Sequence, residues 1–178
     1  FFTSAVWRGA QNRAVTYAVP TGNFGDVFAG YVAAQMGLPI ERLVVATNRN
    51  DILHRALTSG DYSAGTVAPT DAPSMDIQVS SNFERLLFDL SGRDGAALAA
   101  AMAEFEATKK LALPESWRAR AAGLFSSARV DADEMTDTMR WALASTGELL
   151  DPHTAIGLAA ARRDTGNAPM VTLATAHP

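Results

Sequence analysis

The stretch Ala14-Val15-Thr16-Tyr17-Ala18-Val19-Pro20-Thr21-Gly22-Asn23-Phe24-Gly25-Asp26 decides the fold. Its first six residues form a short β-rich run that closes at Pro20, the pattern of a strand. A glycine-containing turn follows, and Asp26 is placed to cap a helix. The apolar side of that helix is predicted as Val27, Phe28, Tyr31, Val32 and Met36, with Gly37 ending it. Leu43-Val44-Val45-Ala46 is then a wholly apolar second strand, and Asn48, Asn50 and Asp51 lead into a helix through Leu57. Strand, helix and strand within about 33 residues predict a parallel βαβ unit.

Outward from this unit, residues 60–75 are rich in Gly, Pro, Ser and Thr and read as a long surface loop, a kind of segment that often carries function. Phe83, Leu86, Leu87 and Leu90 mark a helix by their spacing, and Leu98, Met102 and Phe105 mark an alanine-rich one running to about Lys110. Pro114 breaks the chain before a further short helix. Asp131 with Glu134 has the spacing of a capping box and opens a helix through Met135, Met139 and Ala142. Asp151-Pro152 starts another, Asp as N-cap and Pro at the first helical position, running to about Arg163. Gly166-Asn167 releases it into the apolar strand 170–174. The expected class is α/β, three layers, with a mostly parallel sheet and helices on both faces.

At 178 residues the chain is the size of one domain, and 48% hydrophobic with 19% charged residues suits a packed core. The formal charge of -4, with no run of like charges longer than a pair, offers no footprint for nucleic acid or for a membrane surface. No apolar run reaches the 18 or so residues of a membrane span. Without cysteine there is no disulfide, thiol nucleophile or cysteine metal site, which is compatible with a cytoplasmic protein. Phe1-Phe2-Thr3-Ser4-Ala5-Val6-Trp7 reads as a helix already under way, and Pro178 comes directly after an apolar strand, so a single fragment truncated at both ends is expected.

A glycine turn between a strand and a helix N-terminus suits an anion, because the backbone comes close and several N–H groups and the helix dipole favour negative charge. Spacing alone equally allows a tight turn with no ligand. A dinucleotide site requires G-x-G-x-x-G and an acidic residue closing the second strand, but here there is only Gly22-x-x-Gly25, and Thr47-Asn48 ends that strand. A Gly-Lys-Ser/Thr phosphate loop is absent too. Thr175, after the last strand, falls at the same end of a parallel sheet as the turn, where ligands bind in open α/β sheets; its alternative is an ordinary strand-end hydroxyl. His153 and His177 read as structural histidines. Arg42 and Arg85 are open to a phosphate role or a solvated one. Met135 and Met139, with Trp141, read as core. The acidic residues 131–137 read as capping rather than a metal site, and no metal is implied.

Several ordered blocks resemble threonine synthase. They are Val19-Pro-Thr-Gly-Asn-Phe-Gly-Asp26 with Phe28-Ala-Gly-Tyr31 and Met36-Gly-Leu-Pro-Ile40; Ala46-Thr-Asn48 with Asn50-Asp-Ile52; Ser74-Met-Asp-Ile77 with Ser80-Ser-Asn-Phe-Glu-Arg85; Leu150-Asp-Pro-His-Thr-Ala155; and Leu173-Ala-Thr-Ala-His-Pro178. The resemblance implies the carboxy-terminal part of a pyridoxal-phosphate (PLP) enzyme with a tryptophan-synthase-β-like fold. The full enzyme would convert O-phospho-L-homoserine and water to L-threonine and phosphate, in amino-acid biosynthesis in the cytoplasm. It further implies that Gly22, Asn23, Phe24, Gly25 and Asp26 hold the cofactor phosphate and that Thr175 faces the pyridine nitrogen. The Schiff-base lysine lies in the family's other half, so the chain is expected to contain no catalytic residue and to be inactive alone. Lys109 and Lys110 read as a solvated helix end. The missing half should cover part of the sheet, leaving apolar surface that could drive self-association. Two alternatives stand beside this one: another PLP lyase or deaminase of the same fold, whose loops carry more consecutive glycines than Asn23-Phe24 allows, and a non-catalytic ligand-binding α/β domain.

Overall fold

The structure, a computed structural model, describes residues 1–2 and 13–178. The helix expected over residues 1–7 therefore lies mostly outside the described residues. Four parallel strands form one sheet in the order β3-β2-β1-β4, with β1 at Val15–Pro20, β2 at Ile40–Thr47, β3 at Phe125–Arg129 and β4 at Met170–Thr172. Seven α-helices accompany them among the described residues: α1 Gly25–Gln35, α2 Ile52–Thr58, α3 Phe83–Leu90, α4 Gly95–Thr108, α5 Glu115–Ala122, α6 Ala132–Thr146 and α7 Pro152–Arg163. The expected βαβ unit is β1-α1-β2, its strands paired from Thr16↔Arg42 to Pro20↔Ala46.

Side-chain alternation along the central strands builds two different faces. Val15, Tyr17, Val19, Leu43 and Val45 enter a large cluster with Val27, Ile52, Leu53, Phe83, Leu86 and Trp117, covered by α1 to α5. Ala18, Val44 and Ala46 point the other way, against Met135 of α6 and Ala155, Ile156, Ala159 and Ala160 of α7. Small residues on both sides of this second interface let α7 lie close to the sheet. A Cβ added at Gly157 would fall 2.7 Å from Pro20 Cγ and 3.1 Å from Thr172 Cγ2. The three-layer α/β expectation therefore holds.

Several local expectations hold in detail. Asp131 Oδ1 accepts from the Glu134 N–H, and Asp151 Oδ1 accepts from the N–H groups of His153 and Thr154 with Pro152 at the helix start. Glu134 does not close the reciprocal half of a capping box; its carboxylate pairs with Arg163 across to α7. Three readings differ. Asp26 does not cap α1: Phe24 is the N-cap, in the left-handed region at φ 64°, with no side-chain cap. The buried side of α1 is Val27, Gly30 and Ala33, while Met36 is 72% exposed, because close packing on a sheet selects the small residues of a helix. Trp141 is not core but a surface ring with the Arg162 guanidinium 3.8 Å above it.

Among the described residues no helix is long and apolar enough to cross a membrane, and no cluster of three or more metal-ligating side chains occurs.

Candidate functional site

All four strands run the same way, so the loops after β1, β2, β3 and β4 gather at one end of the sheet. The turn after β1 is central. Thr21 N–H still donates to Ala46 O, continuing the sheet for one residue beyond Pro20. From there the pattern stops: among the described residues, none of the N–H groups of Gly22, Asn23, Phe24, Gly25 and Asp26 donates to a protein acceptor. Five consecutive unspent donors cannot be a buried arrangement, because each would cost about 1–3 kcal/mol. For Asn23, Gly25 and Asp26 the exposure of the residues removes that cost, and Gly22 is half-buried.

The conformation of the turn is of the kind that gathers such donors. Phe24 is left-handed (φ 64°, ψ 9°) and Gly25 begins a right-handed helix, the alternation that folds successive N–H groups into an anion-binding concavity. The positive end of α1, 11 residues long, adds its dipole at the same place. A non-glycine residue in this region costs roughly 1–2 kcal/mol. The Phe24 side chain offsets that cost: it is 1% exposed, edge-on to Phe83 at 5.2 Å and tilted against Phe125 at 6.0 Å. Full burial of such a ring stabilises by about 1.5–3 kcal/mol before any aromatic pairing, so the strained conformation is held from the core side.

The turn is also supported from the segment before α3. Ser80 Oγ donates to Gly22 O at 2.9 Å, and Asn82 donates to Asn23 O twice, from its backbone N–H at 3.1 Å and its side-chain amide at 2.9 Å. That segment is tied in turn to the end of β2. The Asp76 carboxylate accepts from Asn48 Nδ2, Asn50 Nδ2, Thr70 Oγ1 and Thr70 N–H at 2.7–2.9 Å. Asn48 and Asn50, each 3% exposed, thereby have their amide donors met.

His153 joins the same assembly. Ser74 N–H donates to His153 Nε2 at 3.2 Å, so Nε2 carries no proton and Nδ1–H donates to Asp151 Oδ1 at 3.0 Å. Burial works to raise the Asp151 carboxyl pKa, but donors from Thr154 and His153 outweigh it and leave it below the ordinary value. His153 thus clips the loop to the start of α7. His177 is exposed and, among the described residues, bonds its neighbour's carbonyl.

Thr175 lies three residues beyond β4, the strand next to β1, where Leu173 N–H still donates to Ala18 O. The fold thus brings Thr175, exposed, and the Gly22–Asp26 turn to the C-terminal ends of adjacent strands. Arg85 stands 6.0 Å from the centre of the Phe28 ring, and Arg42 lies on the exposed first half of β2, at the opposite end of the strand from the turn. A cavity of about 580 Å³ opens at the ends of β2 and β3, lined by Asn48, Thr70, Asp71, Arg129 and Asp131 among others. Sequence reasoning found the turn but gave no role to Ser80, Asn82 or Asp76. The first two meet their carbonyl partners across 58 and 59 residues, a separation no local pattern reveals.

The wholly parallel sheet in the order β3-β2-β1-β4, with helices on both faces, is the architecture of the PLP-dependent, tryptophan-synthase-β-like fold class. The chain is 53% identical over 180 residues to threonine synthase of Pseudomonas aeruginosa, covering 100% of this chain and 38% of that protein. Its fold matches that of PLP-bound threonine synthase from Brucella melitensis with a TM-score of 0.96 at 53% identity, covering 99% of this chain and 38% of that one. Yeast threonine synthase follows at a TM-score of 0.89 and 38% identity, over 96% and 37%. No protein-family model matches. The chain is a threonine synthase homologue, similar from end to end to one portion of those enzymes and spanning about two fifths of the length of the relatives it matches.

Proposed function

We propose that this chain is the carboxy-terminal, cofactor-phosphate-binding part of a threonine synthase. The whole protein would convert O-phospho-L-homoserine and water to L-threonine and phosphate in the cytoplasm, as a step of amino-acid biosynthesis. The observation that carries the reading is the row of five unspent N–H groups from Gly22 to Asp26 at the start of α1. A phosphate dianion accepts several such donors at once and gains from the helix dipole. PLP, when bound, supplies an electron sink for elimination and replacement at the substrate's carbon chain.

This chain's residues would do the following. The N–H groups of Gly22, Asn23, Phe24, Gly25 and Asp26 bind the phosphate. Gly22, lacking Cβ, lets the turn pack against the Ser74 carbonyl behind it, and the exposed Asp26 contributes its backbone rather than its carboxylate. Thr175 presents a neutral hydroxyl to the pyridine nitrogen and so does not force that nitrogen to take a proton, as a carboxylate would.

No residue of the chain supplies the covalent amine. Lys109 caps the end of α4 in a left-handed conformation, and Lys110 beside it is exposed. The chain alone is therefore inactive in this reading. Its exposed apolar groove between α1, α3 and α4, with Met36, Val32 and Phe88 at the surface, supports self-association when the rest of the enzyme is missing.

The test mixes the chain with PLP, reduces with borohydride and maps adducts by mass spectrometry. In parallel, the full-length protein is assayed with O-phosphohomoserine, O-acetylserine and threonine. Turnover of phosphohomoserine alone, with no specific adduct on the isolated chain, is expected. A stoichiometric adduct at Lys109 or Lys110, or preference for O-acetylserine, would overturn the reading.

A further inference from the structure

We infer that Ser80 and Asn82 are positioning residues for the phosphate turn: by holding the carbonyl oxygens of Gly22 and Asn23, they aim the N–H groups of Asn23 and Phe24 at the ligand. The inference rests on the reading proposed above. Its physical basis is the rigidity of the peptide plane. In a trans peptide the C=O of one residue and the N–H of the next point in opposite directions. Anchoring Gly22 O on Ser80 Oγ at 2.9 Å therefore fixes where Asn23 N–H points. Anchoring Asn23 O on both donors of Asn82 fixes Phe24 N–H in the same way.

The anchors are themselves held. Ser80 is 3% exposed, and its N–H donates to the hydroxyl of Tyr62, a 2%-exposed core residue, at 2.9 Å. Asn82 immediately precedes α3, whose Phe83, Leu86, Leu87 and Leu90 are buried. The Asp76 knot ties the upstream end of the segment to β2. A turn with two of its carbonyls fixed from one side pays little reorganisation when an anion arrives on the other.

The experiment compares PLP with pyridoxal, which lacks the phosphate, as ligands of the full-length apoprotein, using fluorescence titration and the phosphorus NMR line of bound PLP. Ser80→Ala and Asn82→Ala are each expected to weaken PLP about tenfold, the scale of one hydrogen bond's worth of geometry, while pyridoxal affinity stays unchanged. The phosphorus line should shift or broaden, and Ser80→Thr, which restores a hydroxyl, should recover part of the loss. If PLP and pyridoxal weaken equally, or neither changes, the positioning role is wrong while the phosphate site stands. If the unaltered protein does not prefer PLP over pyridoxal, the site itself is wrong and this inference goes with it. Should Ser80→Ala fail to fold, Asn82→Ala, a half-buried position that keeps its backbone donor, decides alone.

Discussion

The place a Cβ would occupy on Gly22 lies 2.6 Å from the carbonyl oxygen of Ser74. The obstacle is backbone, not the movable end of a side chain, so Gly22→Ala must displace either the turn or the loop that His153 and Asp76 hold in place. Overpacking of this kind costs about 1–3 kcal/mol. A lower urea midpoint with an unchanged slope is expected, together with loss of PLP affinity. An alanine variant as stable and as tight as the parent would show that the loop yields freely.

Asp76 concentrates four accepted hydrogen bonds on one carboxylate. Asp76→Ala leaves the amides of buried Asn48 and Asn50 short of an acceptor, although each keeps one other partner, Thr70 Oγ1 and Ala68 O. A destabilisation of about 3 kcal/mol is expected. Limited proteolysis should show new cleavage within residues 61–79 before the sheet unfolds. Uniform cleavage along the chain would mean the knot is not local.

Acid sensitivity should begin near neutrality. His54 is held below its ordinary pKa, first by burial and then by Arg129 and Arg163, with Asp51 opposing, while its Nδ1 bonds Ser127 Oγ at 2.9 Å. The unfolded chain therefore binds the proton more readily than the folded one. Stability is fully present above about pH 6.5, the ordinary histidine value, and falls as pH drops through it toward the lower folded value. Asp151, also depressed, adds a second loss only below about pH 4. Melting temperatures between pH 8 and 5 should decline in the parent and flatten in His54→Gln; an equal decline in both would assign the effect elsewhere.

Gly157→Ala sets two terms against each other. Alanine gains about 1 kcal/mol of helix propensity over glycine. Against that, its methyl meets the rigid ring of Pro20 at 2.7 Å and Thr172 at 3.1 Å. The clash is with the ends of β1 and β4 together, so it wins, and a net loss of about 1–2 kcal/mol is expected in chemical denaturation. A stabilised variant would mean α7 can shift along the sheet without cost.

The sequence made the βαβ unit legible because its signals are local: an apolar run closed by Pro20, a glycine turn, and a second run at 43–46. The capped starts at Asp131 and Asp151 were legible for the same reason. β3 was not, since Phe125-Ser-Ser-Ala-Arg129 is short, polar and paired on one side only, to β2. The buried side of α1 was misjudged because its largest apolar residues are not those nearest the sheet. At the site, the turn was visible but its conformation was not. Asp26 looked like a cap because nothing in the local residues announces that Phe24 turns left-handed, a state imposed by Phe83 and Phe125 from far along the chain. Ser80 and Asn82 were hidden likewise, their partners chosen by the tertiary fold.

Because Phe24 serves at once as hinge of the turn and as a plug in the aromatic cluster, the proposed grip on a phosphate and the cohesion of the interior cannot be adjusted separately. Cofactor saturation should therefore toughen the molecule against heat far beyond the loop it touches. Conversely, a lesion deep among those rings would surface first as a leaking coenzyme, well before the chain came apart.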